Sequence, residues 1–151
     1  MKYDSTADTL KHIKRVNELL IQSAKIILDR AIKHDPTKLV SPEKEAFDIL
    51  TPRLNKLKFG SPEYEQSKNE LKDALDHHYA RNSHHPQHYK NGINDMDLFD
   101  VIEMFLDWKA SSERQNDGNI LKSIEFNKQH FGISEQLTKI FENTAITLDE
   151  A

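Results

Sequence analysis

Between residues 7 and 34 the chain runs without a glycine or a proline, and apolar side chains recur at three- and four-residue steps: Leu10, Ile13, Leu20, Ala24, Ile27 and Ala31. Steps of three and four fall on one side of a 3.6-residue turn, so the stretch predicts one long helix with an apolar stripe that only Asn17 interrupts. Strand-like alternation is nearly absent from the rest of the chain. Its four glycines and five prolines mark turns between further helical stretches.

Asp35-Pro36 closes the first helix, because the residue before a proline is pushed out of the helical region. Ser41-Pro42-Glu43 reads as a helix start, with Ser capping, Pro at the first position and Glu at the positive end of the dipole. That helix carries Phe47, Ile49, Leu50, Leu54 and Leu57, has a kink point at Pro52 and ends at Gly60. Ser61-Pro62-Glu63 repeats the start signal for a helix running to about Arg81, with Tyr64, Leu71, Leu75, His78 and Asn82 on its inner face. Residues 83–94 form a polar loop, and such loops in small helical domains tend to carry function. Asn94 or Asp95 caps the next helix, over 96–114. Gly118-Asn119 precedes a helix over 120–130, and Gly132 breaks it. Ser134 caps a last helix to about Asn143, with a frayed tail over 145–151. The expected fold is all-α: a single-domain bundle of about six or seven helices over 1–151.

A length of 151 residues suits one domain with a modest core. No apolar run approaches the roughly 20 residues of a membrane span, and the N-terminus lacks the apolar stretch of a signal peptide. A cytoplasmic protein is the default expectation. The net charge of −4 and the lack of a basic block give no support to nucleic-acid binding. With no cysteine, any metal must be held by nitrogen and oxygen ligands.

Six of the eight histidines lie in two places, the pair His34-Asp35 and the string HHYARNSHHPQHY over 77–89. His78 shares the apolar face of its helix with Leu71 and Leu75, which makes it the better ligand candidate and His77 the better surface residue. His84, His85 and His88 follow closely. Converging imidazoles must either find acceptors or give their lone pairs to a metal. On the helix over 96–114, Asp100, Glu103 and Asp107 share one face. Glu103 and Asp107 sit among Val101, Ile102, Met104, Phe105, Leu106 and Trp108, so this helix is apolar nearly all round and reads as buried. Buried carboxylates need a cation or a proton. Tyr79, Asn82 and Tyr89 are candidates to orient imidazoles. Lys38, Arg81 and Lys90 are candidates to neutralise phosphate charge.

The order His, His-Asp, His, His-His, Asp resembles that of the HD-domain superfamily of metal-dependent phosphohydrolases. The resemblance implies an HD-like fold in which His12, His34, Asp35 and Asp107 hold one metal, with His78 and His84 or His85 added where a second is held. The stretches HDPTK, HHYARNSHHPQHY and DLFDVIEMFLDWKA also look like a family of small phage and bacterial proteins of uncharacterised activity, over residues 10 to about 145. One point needs a structure. If residues 7–34 form a single straight helix, His12 and His34 stand about 33 Å apart and cannot share an ion.

The expected cofactor is one or two divalent ions: Mn, Fe, Co, Ni or Zn, with Mg less suited to several imidazoles. Asp35 would bridge two ions, Glu103 would act as an outer base or further ligand, and Lys38 would meet the phosphate. The expected activity is hydrolysis of a nucleotide or related small phosphoester through a metal-activated water. Two other readings compete: an HD-fold di-iron oxygenase, and a non-catalytic helical interaction protein stapled by its metal. The apolar helix over 96–108 faces either a core or a homodimer interface.

Overall fold

A computed structural model describes residues 3–58, 60–114 and 118–150. It is all-helical, with seven α-helices and, among the described residues, no strand. The chain divides into two compact units, Met1–His34 and Asp35–Ala151.

The first unit is one helix, α1 (Thr6–Lys33). It runs unbroken, as the absence of Gly and Pro predicts, and leaves the helical region at His34. None of its residues is buried. Leu10, Leu20 and Leu28 are each 60% exposed or more.

The second unit begins with a 3-10 turn, Pro36–Leu39, followed by α2 (Glu43–Leu54). Ser41 does not cap α2. Pro42 occupies the cap position without a side-chain hydrogen bond, which makes Glu43 the first helical residue. Pro52 lies inside α2, which ends two residues later, short of the expected end at Gly60. Next come α3 (Pro62–Asn69) and α4 (Lys72–Arg81). One helix was expected over this span, and no glycine or proline marks the break. Glu70 at the junction pairs with Arg53 of α2 at 2.5 Å, while α4 starts afresh and buries Ala74 and His78. Ser61 caps α3 as expected, its Oγ accepting from the Tyr64 amide at 3.2 Å.

After 3-10 turns at Pro86–His88 and Gly92–Asp95 come α5 (Leu98–Glu113), α6 (Ile120–Phe131) and α7 (Glu135–Asp149). The cap of α5 is Asp97 rather than Asn94 or Asp95, because Asp97 and Asp100 form a reciprocal capping box. Asn119 caps α6, Gly132 closes it at φ +65°, and Ser134 caps α7. The last helix does not fray at 145. Ala145 is buried and Lys109 of α5 holds Asp149 at 2.5 Å, so α7 continues to Asp149; Ala151 lies outside the described residues.

Helix α5 faces a core. Met104, Phe105, Ile124, Ile133, Phe141 and Ala145 form the apolar cluster where α5, α6 and α7 meet. Phe105 stacks on Phe141 with centroids 5.0 Å apart, and Trp108 meets Phe141 edge-on at 5.8 Å. Truncating one such ring costs about 3–5 kcal/mol. The other half of the unit, where α2, α4 and the turn at 36–39 pack together, buries a different kind of residue: Asp35, Glu43, His78, Asn82 and His84. Among the described residues no helix is long and apolar enough to cross a membrane.

Candidate metal centre

Three short segments supply the centre. The first is Asp35, whose backbone is left-handed at φ 51°, ψ 33°, immediately before Pro36. For an L-residue other than glycine this conformation is uncommon, and Asp tolerates it better than most. The second is the last turn of α4, with His77 and His78. The third is the loop that follows, in which Asn82 leaves the helix in an extended conformation and the chain turns to bring His84 and His85 back over α4.

These residues converge. His78 Nε2 and His84 Nε2 each lie 3.4 Å from Asp35 Oδ1. His85 Nε2 lies 2.9 Å from His78 Nε2. One ligand atom from each of Asp35, His78, His84 and His85 falls within 4.8 Å of every other, and His78 and His84 are buried. The four can hold a metal ion.

The far side of each buried ring explains why these atoms are acceptors. His78 Nδ1 is 2.8 Å from Glu43 Oε2, and His84 Nδ1 is 3.1 Å from Glu103 Oε1. An ionised carboxylate only accepts, so these two contacts favour the tautomer with the proton on Nδ1, although Asn82 Nδ2 also lies 3.0 Å from His78 Nδ1. In the neutral ring Nε2 then carries only a lone pair, which on His78 is met by His85 Nε2 at 2.9 Å. Two such lone pairs point at a carboxylate oxygen at 3.4 Å, beyond a good hydrogen bond. A cation between them converts the repulsion into coordination. For metal–ligand bonds of about 2.1 Å, neighbouring donors stand about 3.0 Å apart at octahedral angles and about 3.4 Å apart at tetrahedral ones. The separations of 2.9 Å between His78 and His85 and 3.4 Å from Asp35 to His78 and to His84 fall in that range. Imidazoles that give Nε2 to a metal usually give Nδ1–H to a carboxylate, which forms the second layer of such sites.

Glu43 is the residue the sequence reading did not place. It is wholly buried and receives His77 Nδ1 at 2.7 Å, His78 Nδ1 at 2.8 Å and Thr37 Oγ1 at 2.8 Å. Burial alone would raise its carboxyl, but the bonds from His77, Thr37 and His78 outweigh burial and hold it below the ordinary value. His77, expected at the surface, is half-buried because it shares this carboxylate. Asn82 ties the same group together, donating to the His78 carbonyl at 2.8 Å and to Thr37 Oγ1 at 3.1 Å. Burial holds His78 below the usual imidazole range, Asp35 and Glu43 opposing it in part. The only sequence signal for Glu43 was its place at a helix start, where a glutamate has an ordinary reason to be.

The expected acidic face of α5 divides into three uses. Asp100 accepts from Ser83 Oγ and Tyr89 OH, each at 2.6 Å, and so pins the histidine loop to the helix. Burial and Asp100 together push the Tyr89 hydroxyl up to about 12. Glu103 orients His84. A carboxylate oxygen of Asp107 lies within 4.8 Å of one of Asp35, in reach of the same neighbourhood.

Lys38 does not stand open to a phosphate. Its Nζ sits 2.5 Å from Asp35 Oδ2 and 5.3 Å from the Phe47 ring centroid. Asp35 therefore presents Oδ1 to the imidazoles and Oδ2 to an ammonium, and bridging two ions would require Lys38 to leave. Arg81 and Lys90 are exposed. His88 bonds the Tyr79 carbonyl through Nδ1 at 2.8 Å. The Tyr79 ring lies 5.0 Å from that of His85. His34 is the exposed cap residue of α1. Because α1 is a single uninterrupted helix, His12 and His34 stand about 33 Å apart. One ion cannot take both, and His12 leaves the expected ligand set.

The model of a described family, "Family of unknown function (DUF5662)", matches residues 1–147. The chain belongs to that family. No curated protein and no solved structure matches it. The matched span takes in Asp35, Glu43, the histidine loop and all three acidic residues of α5.

Proposed function

We propose that this protein is a metal-dependent phosphohydrolase whose ion is held by Asp35, His78, His84 and His85. The reading is carried by one observation: two buried imidazoles, each fixed by a carboxylate on Nδ1, turn Nε2 toward the same Asp35 oxygen. A bound divalent ion would supply an acidified water and a polarised phosphoryl oxygen. Around it Glu43 and Glu103 hold the rings in one tautomer, and Lys38 offsets part of the Asp35 charge. Asp107, with a carboxylate oxygen within 4.8 Å of one of Asp35, is suited to accept a proton or to complete the ligand set. The substrate class, a nucleotide or related small phosphoester, rests on the likeness of the His34-Asp35 pair and the later histidines to the HD superfamily. Imidazole-rich ligation favours Mn, Fe, Co, Ni or Zn over Mg.

The ligand count supports a second reading. Four protein ligands close a tetrahedral zinc site, and closed sites are structural. In that case the ion staples α4 and its loop to the turn at 36–39.

The test is elemental mass spectrometry on protein purified without a histidine tag, followed by turnover of a phosphoester panel with each reconstituted metal. One or two equivalents of a transition metal with turnover lost in Asp107→Ala supports the hydrolase. A bound metal without turnover leaves the staple. No metal after incubation with Mn, Fe and Zn removes both.

A further inference from the structure

Outside the metal centre, the least explained part of the molecule is α1. It is 28 residues long, about 42 Å, and buries none of its side chains, although every turn carries at least one aliphatic residue. An isolated helix gains little from propensity alone and normally depends on packing of its apolar face.

The order of its residues says what that packing is. Numbering a heptad from Leu10 as position a, the a positions hold Leu10, Asn17, Ala24 and Ala31, and the d positions hold Ile13, Leu20 and Ile27. The alternation of three and four runs without a slip from residue 10 to residue 31, and a seam with this 3.5-residue repeat fits another helix of the same kind. The outer b and f positions are polar through most of the helix: Lys11, Arg15, Glu18, Gln22, Lys25 and Asp29. Arg15 and Glu18 pair with each other on that outer side at 3.1 Å. Val16, Ile21 and Leu28 flank the seam and widen it.

We propose that α1 pairs, parallel and in register, with α1 of a second copy of this chain. Asn17 selects that occupant. Facing an aliphatic residue, its amide would be buried with its hydrogen bonds unmet, which is costly. In a parallel pair in register it meets the same amide of the second copy, and the two satisfy each other. An antiparallel pair centred on the helix would set Asn17 against the stretch between Leu20 and Ala24. A single polar residue at an a position is the usual device by which a coiled coil fixes register and strand number.

The chain has no cysteine, so one introduced thiol reports orientation without background. The full-length protein is expected to sediment as a dimer. Asn17→Cys is expected to form an intermolecular disulfide in high yield under mild oxidation. Leu20→Asp with Ile27→Asp is expected to give a monomer whose circular dichroism retains the helices of the second unit. A wild-type chain that stays monomeric at millimolar concentration overturns the proposal, whatever else then covers α1. So does a dimer whose Asn17→Cys form will not cross-link, since its helices are then not parallel and in register. None of these readouts depends on metal or turnover, so the pairing stands or falls apart from the hydrolase reading.

Discussion

The second unit has two interiors that obey different rules. Where α5, α6 and α7 meet, the buried side chains are aliphatic and aromatic, and the buried polar groups Asn127 and Thr138 bond to backbone carbonyls four residues earlier on their own chain segments. Where α2, α4 and the 36–39 turn meet, most buried groups are polar and several of their bonds join residues 34 to 45 apart in sequence, as in His77–Glu43 and Asn82–Thr37. The first interior is held by area removed from water, which tolerates small displacements. The second is held by directed bonds around a point of converging acceptors, which does not tolerate loss of a partner.

The contrast can be broken most forcefully from the apolar side. Phe141→Ala should cost about 3–5 kcal/mol in a denaturant melt and leave metal content per folded chain unchanged. Loss of metal from that variant would show the two interiors to be one. Chelation comes next. An ion held at a thousandfold excess over its dissociation constant adds about 4 kcal/mol, so stripping it should lower the melting temperature by on the order of 10 °C. Hydrogen exchange should then rise first in α4 and the loop after it, and later in α5–α7. Glu43→Gln sharpens the comparison further, because it keeps the shape and removes an acceptor. Metal affinity should fall about 10–100-fold with about 1–3 kcal/mol of stability, read by competition with a chromophoric chelator. An unchanged affinity would reduce Glu43 to a helix-start residue. The smallest effect is expected for Ser134→Ala, which removes the α7 cap and should cost about 1 kcal/mol with the metal untouched.

The two interiors also differ in how well the sequence foretold them. Helices α1, α3, α6 and α7 announce themselves through local chemistry: an unbroken apolar periodicity, Ser61-Pro62, Asn119, and Gly132 with Ser134. Local signals failed where a distant contact decided the outcome. The break between α3 and α4 follows no breaker residue, and α7 outruns its expected end because Ala145 and Asp149 reach α5. The centre was legible where helical register spoke, since His78 lies on the inner face of α4 as its spacing with Leu71 and Leu75 requires. Glu43 was not legible, because a glutamate after Ser-Pro satisfies a local rule that hides its long-range partners. The acidic face of α5 was read correctly as a face. Only the fold could distribute Asp100, Glu103 and Asp107 among a tyrosine, a histidine and a neighbouring aspartate.

The left-handed backbone of Asp35 has a consequence for how this position can change. Two independent features meet there, a dihedral that most L-residues resist and a carboxylate that pairs with Lys38 and faces two imidazoles. Glycine meets the first and offers no oxygen. Glutamate offers the charge on a longer arm and resists the turn. Asparagine keeps the turn and an oxygen but loses the charge. No single substitution keeps both, so a lineage drifting at residue 35 would shed either the bend or the charge at the first step, and Asp35→Asn is the replacement that tells a laboratory which of the two the protein needs.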